Sequence, residues 1–272
     1  MLRSMYSGVS GLKTQQTKMD VIGNNIANVN TVGFKQGEVY FQDILSQSVG
    51  NGSESPFQAQ VGLGVAVGGI DTKFTQGTLQ STGRSEDFAI QGDGMFVVAS
   101  PALIGDPANG VIDYTDKATV EDLQYTREGV FIFDDAGYLR TIEGGYILGQ
   151  DGTTITRAET VGNPNGVVQI SDVIQMVTFT NYSGLEKLGN NKFGSTEKTG
   201  EPIFGAPGEI VVGPDGSELR IGTTVSGYLE MSNVDLANEF TNMIVTSRSY
   251  QANSRVITTS DELLQELVNL KR

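Results

Sequence analysis

The side chains of this sequence that could do chemistry are mostly carboxylates, several of them set among glycines. Gly92-Asp93-Gly94 has the outline of a phosphate-cradling loop, but such a loop needs a helix N-terminus behind it to offer free amides to the anion. Residues 95–99 instead continue a strand pattern, so the triplet reads as a hairpin turn. Asp134-Asp135-Ala136-Gly137 lacks the spaced ligands and closing glutamate of a calcium loop and also reads as a turn. The adjacent acids Glu86-Asp87 and Glu121-Asp122 could supply the acid and base of glycoside cleavage. Acids are so dense between residues 37 and 227 that such neighbours arise freely, and there is no tryptophan to stack on a sugar. Histidine and cysteine are also absent, which removes imidazole and thiol nucleophiles, Cys/His zinc sites and disulfides. No catalytic, cofactor-binding or metal-ligating residue is assigned, and no cofactor is expected.

The elements around these residues say more. The 272 residues carry 18 basic and 32 acidic side chains, a net charge of -14, and 35 glycines. Residues 1–36 hold four bases (Arg3, Lys13, Lys18, Lys35) against Asp20, and residues 228–272 hold six acids against four bases. The two ends together therefore come to +1 and the middle to -15. Such an acidic chain is not drawn to nucleic acid or anionic lipid, whereas near-neutral ends approach copies of themselves without strong repulsion. No stretch reaches the ~20 apolar residues of a membrane span. The opening MLRSMYSGVSGLK lacks the continuous apolar run of a cleavable secretory signal.

The ends are helical by period. Leu2, Met5, Val9, Leu12, Met19, Ile22 and Ile26 follow three- and four-residue steps. Leu236, Phe240, Met243, Tyr250, Ile257, Leu264 and Val268, with Ser247 and Ser254 between them, trace a near-heptad seam over 234–270, with Ser232 as its expected cap and Asp235 as a first-turn acid. Gly8, Gly11 and Gly23 each cost the N-terminal helix about 1 kcal/mol relative to alanine. Alone that helix is marginal, so the two ends are expected to pack on each other and on neighbouring molecules.

The middle reads as strands at 87–99, 129–133, 138–148, 167–170, 173–180 and 209–212, broken by turns such as Asp135-Ala136-Gly137, Asp151-Gly152 and Pro214-Asp215-Gly216. The fold class is α+β: paired, coiled-coil-like terminal helices plus a central, mainly-β domain. Residues 1–30 with 233–272 are expected to form a helical assembly domain, 31–75 an extended connector, and 76–232 a β-rich outer domain.

Gly23-Asn24-Asn25-Ile26-Ala27-Asn28, with Ser7-Gly8 and Gly11-Leu12 before it and Thr31, Gly33, Phe34 and Lys35 after it, resembles the N-terminal signature of bacterial flagellar rod and hook proteins. Glu230, Ser232-Asn233-Val234-Asp235-Leu236, Met243-Ile244, Arg248 and Tyr250-Gln251-Ala252-Asn253 are similar to that family's C-terminal segment. The stretches 87–96 and 125–129 resemble its β-domain motifs.

The resemblance implies a structural subunit, not an enzyme, exported through the flagellar type III apparatus without a cleaved signal. It would polymerise with its own copies into a helical tube, terminal helices inside and β domain outside, with no membrane insertion. Neighbouring rod, hook and junction proteins would be its other partners. The ending Leu267-Val268-Asn269-Leu270 looks more like hook subunits, so a small hook subunit that transmits torque and conducts export substrates is the favoured reading. A distal rod subunit of the basal body, which the short length suits, is the alternative. A rod-associated cell-wall hydrolase finds no domain to house it in 75–230. The apolar positions of both helices, with Asn24, Asn25, Asn28 and Phe34, are the expected subunit interface, and both ends are expected to order only on assembly.

Overall fold

The computed structural model describes residues 2–48, 60–105, 111–114, 120–157, 170–213, 216 and 218–270. The sequence readings at 50–59, 167–169 and Pro214-Asp215 lie outside the described residues. The chain divides into two units. The first comprises Met1–Val29, Gln36–Lys73 and Val234–Arg272, and the second Asn30–Lys35 and Phe74–Asn233.

In the first unit, α1 (Leu2–Ala27) and α2 (Leu236–Leu270) lie antiparallel, with Ser4 beside Ser260 at one end and Asn25 beside Glu239 at the other. At ~1.5 Å per residue the 35 residues of α2 span roughly 50 Å. The helix starts on Asp235, whose Oδ1 accepts from the amides of Ala237 (2.9 Å) and Asn238 (3.3 Å). The expected cap, Ser232, lies outside the helix because it is Asp235 that reaches the free first-turn amides.

The stretch 31–75 is not an extended connector throughout. β1 (Gly37–Asp43), β2 (Ser46–Ser48), β3 (Gln60–Gly62) and β4 (Val65–Thr72) form nested antiparallel pairs, β1 with β4 and β2 with β3. The β1–β4 register runs from Gly37 opposite Thr72 to Asp43 opposite Val65, with a bulge between Tyr40 and Phe41. β-branched and aromatic residues supply the ladder, while Gly64, Gly68 and Gly69 interrupt the alternation that would have announced it.

In the second unit the strands are β5 (Leu79–Ser81), β6 (Phe88–Gln91), β7 (Met95–Ala99), β8 (Gln124–Thr126), β9 (Phe131–Phe133), β10 (Leu139–Thr141), β11 (Tyr146–Ile147), β12 (Met176–Thr178), β13 (Glu186–Gly189), β14 (Lys192–Gly194), β15 (Ile203–Gly205), β16 (Ile210–Val212), β17 (Glu218–Arg220), β18 (Thr223–Ser226) and β19 (Tyr228–Glu230). β7 is the centre of the main sheet, paired with β8 on one side and with β12 and β11 on the other. All five of its residues are buried. Met95, Val97 and Ala99 enter one apolar cluster and Phe96 and Val98 the other, as the two-residue period of a strand requires.

Two readings change here. Residues 173–180 are not one strand, since Ile170–Val173 is a single helical turn and only β12 is extended. Gly92-Asp93-Gly94 is a turn but closes no hairpin: β6 pairs with β18, and β7 pairs within the main sheet. Asp134-Asp135-Ala136-Gly137 does close one, between β9 and β10, with Gly137 at φ 86° and its amide 2.7 Å from the Asp134 carbonyl.

Candidate assembly surface

The contact between α1 and α2 is built from small and polar side chains. Ser4 Oγ lies 3.4 Å from Ser260 Oγ. A methyl group on Gly11 would come within 2.6 Å of Asn253 Nδ2, and one on Gly8 within 3.1 Å of Ile257 Cγ1. These two glycines therefore allow the helices to approach, which explains why residues of poor helix propensity stand there.

At the far end Asn25 is buried and pairs its amide with the backbone of Gly37 in both directions. Its Nδ2 donates to the Gly37 carbonyl at 2.9 Å, and its Oδ1 accepts from the Gly37 amide at 3.0 Å. The same Nδ2 reaches Glu239 Oε2 at 3.4 Å, and Gln36 Nε2 donates to Glu239 Oε1 at 2.6 Å.

The true inward stripe of α2 thus has two rows. One is Met243, Ile257 and Leu264 of the expected seam, each half-buried. The other is Glu239, Thr246, Asn253 and Ser260, seven residues apart, which an apolar pattern search passes over. Ser247 and Ser254 of the expected seam are half-buried as well, and Leu236, Phe240, Tyr250 and Val268 are exposed, Leu236 and Tyr250 in the same seven-residue row as Met243.

Beside them stand Ile244, Val245, Leu263 and Leu267, also exposed and outside the expected seam. Their signal in the sequence was an α2 with apolar residues off its seam as well as on it. On α1, Val9 is exposed, Ile22 buried, and Met5, Leu12, Met19 and Ile26 are half-buried. Leu2 opens the helix. Asn24 and Asn28 bond to each other, Nδ2 of Asn28 lying 2.6 Å from Oδ1 of Asn24. Phe34 belongs to the second unit, its ring 5.6 Å from Lys187 Nζ, and is not brought together with the others.

The second unit contains a buried ion cluster that the sequence did not suggest as chemistry. Glu230 Oε1 accepts from Lys35 Nζ at 2.6 Å and from the Gly77 amide at 2.8 Å, and its Oε2 accepts from Arg127 Nη1 at 2.8 Å. The excess cation is spread over carbonyls. Lys35 also donates to Thr75 O at 2.9 Å, and Arg127 to Gly94 O and Gly92 O at 2.6 Å each.

Burial raises the Glu230 pKa, but Arg127 and Lys35 outweigh it and hold the carboxyl below its ordinary range. Burial and the nearby Arg127 pull Lys35 below an ordinary lysine against the opposing pull of Glu230. Gly33, at φ 69°, packs against this cluster. Its amide donates to Glu230 O at 2.8 Å, and a side chain there would strike the Arg127 backbone. The cluster is structural and holds segments 30–35, 74–77 and 127–129 to β19. Among the described residues no group of three or more acids could hold a metal ion, and no helix is long and apolar enough to cross a membrane.

Two family profiles match the ends of the chain: "Flagella basal body rod protein" at residues 5–35 and "Flagellar basal body rod FlgEFG protein C-terminal" at 225–270. The chain is similar over its whole length to the flagellar basal-body rod protein FlgG of Bacillus subtilis, 44% identical over 293 aligned positions covering all of both chains. In Borreliella burgdorferi it is similar to the rod protein FlgG, 32% identical over 295 positions, and to the hook protein FlgE, 30% identical over 451, again covering all of both chains.

The chain belongs to the flagellar rod and hook family.

It is a structural component of the flagellar basal body or hook, not an enzyme. The family profiles fall on the parts just described. The N-terminal match holds Asn25 and Lys35, and the C-terminal match holds Glu230 and Glu239. Arg127, from neither match, completes the ion cluster. The hook alignment leaves 179 of its positions (451 less 272) without a residue of this chain, against 21 (293 less 272) for the Bacillus rod protein.

Proposed function

We propose that this chain is a rod subunit that polymerises with its own copies through α1 and α2 into a helical tube, helices innermost and β body outermost. The observation that carries assembly is the exposed apolar surface of α2, where Phe240, Ile244, Val245, Leu263 and Val268 lie open beside a helix contact that is itself largely polar. Surface of that kind on adjacent turns marks a face awaiting a partner. Residues 37–227, at -15, would limit side-by-side association of finished tubes.

Rod is favoured over hook because rod relatives align with few unmatched positions and the hook relative with many. The hook-like ending at 267–270 is the weaker argument. Export through the flagellar type III apparatus without a cleaved signal, and contact with adjacent rod, hook and junction proteins at the tube ends, complete the reading.

Electron microscopy of the concentrated protein should show tubes. Amides at 2–30 and 234–270 should exchange freely in the dilute chain and become protected in the tubes. Full protection in the dilute chain, or stable dimers with no tube, counts against the proposal. Localisation within the basal body supports rod, and localisation beyond the outer cell boundary supports hook.

A further inference from the structure

Glu239 is 2% exposed in the helix contact, and its carboxylate is held by two amides, Asn25 Nδ2 and Gln36 Nε2. Among the described residues no lysine or arginine forms an ion pair with it. A first-turn acid usually serves the helix dipole from the surface. Here the free amides of Ala237 and Asn238 are already taken by Asp235, and both Glu239 oxygens point elsewhere. A buried carboxylate without a cation costs stability that an apolar residue would not.

The rest of the contact carries little information about alignment. Ser4 meets Ser260 and Gly11 meets Asn253, while Thr246 is buried with an unpartnered hydroxyl. The residue numbers of the facing pairs 4/260, 11/253 and 25/239 each sum to 264, so one register holds along the whole contact. Sliding α2 by one heptad would set Ser260 opposite Gly11 in place of Asn253, one polar residue for another, and Leu267 opposite Ser4 in place of Ser260. At Asn25 it would set Thr246 in place of the carboxylate that accepts from both Asn25 and Gln36.

We propose that Glu239, with Asn25 and Gln36, is a specificity-determining node that fixes the register of α2 on α1. A single buried polar group can set helix register in this way at a cost in stability. The need for it rests on the assembly reading, since in a polymer each α2 has several identical α1 helices within reach. Asn25 is itself locked to Gly37, so the node offers α2 a fixed acceptor site rather than a mobile side chain.

The chain has no cysteine, so introduced pairs report pairing directly. Ser4→Cys with Ser260→Cys reports the native register. Ser4→Cys with Leu267→Cys reports a slip of one heptad, about 10.5 Å along the helix. Crosslinks are read after mild oxidation in polymer and soluble fractions separately, so a failure to polymerise, which counts against the assembly reading, is distinguished from a change of register.

The native pair should dominate in the otherwise unchanged chain. Glu239→Leu should lower the ratio of native to slipped crosslink about tenfold while helix content is retained. Glu239→Gln, which keeps an acceptor oxygen, should stay near the unchanged ratio. An unaltered ratio in Glu239→Leu overturns the proposal. Loss of both crosslinks together with helix content overturns it too, because Glu239 would then be needed for stability and not for register. Absence of the native crosslink from both fractions of the unchanged chain also overturns it.

Discussion

The two units of this chain bury opposite kinds of residue. Among the described residues the second unit hides 24 apolar side chains in two clusters on either side of β7, and Ala89 besides, and exposes seven large ones, whereas the first hides Ile22, Val39 and Val234 and exposes eighteen. In the first unit, Thr14, Asn25, Glu239, Thr246 and Ser260 occupy the interior instead. Apolar burial is the main favourable contribution to folding, so the second unit can be a self-sufficient domain. The first keeps most of its large apolar side chains on its surface, where the proposed assembly would cover them. A protein divided this way separates the part that must be stable from the part that must find a partner.

The largest test of that division is Glu230→Gln. It leaves Lys35 and Arg127 buried with no carboxylate, and should destabilise the second unit by about 3–5 kcal/mol in thermal or urea unfolding. Lys35→Met removes the excess cation and keeps the Arg127–Glu230 pair, so it should cost less, about 1–2 kcal/mol for the lost bond to Thr75 O.

Phe240→Ser, in the first unit, should leave unfolding of the dilute chain within about 0.5 kcal/mol. It should nevertheless raise the protein concentration needed for tubes about tenfold or more, since a buried aromatic contact would be lost in every subunit. Equal effects on both measurements would mean that Phe240 already packs within its own chain.

The ion cluster also gives the second unit a characteristic pH response. The contribution of Glu230 is fully present above its unfolded pKa of ~4.3 and is lost as pH falls through the lower folded value. Lys35 acts on the alkaline side. Its folded pKa is lowered, so between that value and the unfolded ~10.4 the unfolded chain binds more protons, and stability from this group rises with pH. Lys35→Met should abolish that alkaline rise and leave the acid limb in place. The smallest expected effect is Thr246→Val, which removes a buried hydroxyl without a partner and should be neutral or stabilising by at most about 1 kcal/mol.

Much of this was legible in the sequence. The three-and-four period located both long helices, and the turn chemistry around Gly137 located a hairpin. In α2, Met243, Ile257 and Leu264 of the expected seam are half-buried, but apolarity could not reveal that the more buried row is Glu239, Thr246, Asn253 and Ser260. A pattern search assumes that inside means apolar, and that holds only where a chain buries its own core.

The β1–β4 ladder was hidden for another reason, because glycines within a strand remove the alternation while the backbone hydrogen bonds survive. Lys35, Arg127 and Glu230 were singled out by resemblance, yet nothing local tells a lysine at 35 that its counterion is at 230. Such pairings are a property of topology.

The polar lining between α1 and α2 also bears on when tubes begin. Two helices that bring hydroxyls, glycines and an amide together gain little by closing on their own, so the first encounter between free chains is the costly step. In the proposed tube an existing end would offer the missing apolar wall ready-made. Growth would then be confined to ends already present, and free chains would stay apart at concentrations where a finished end still elongates.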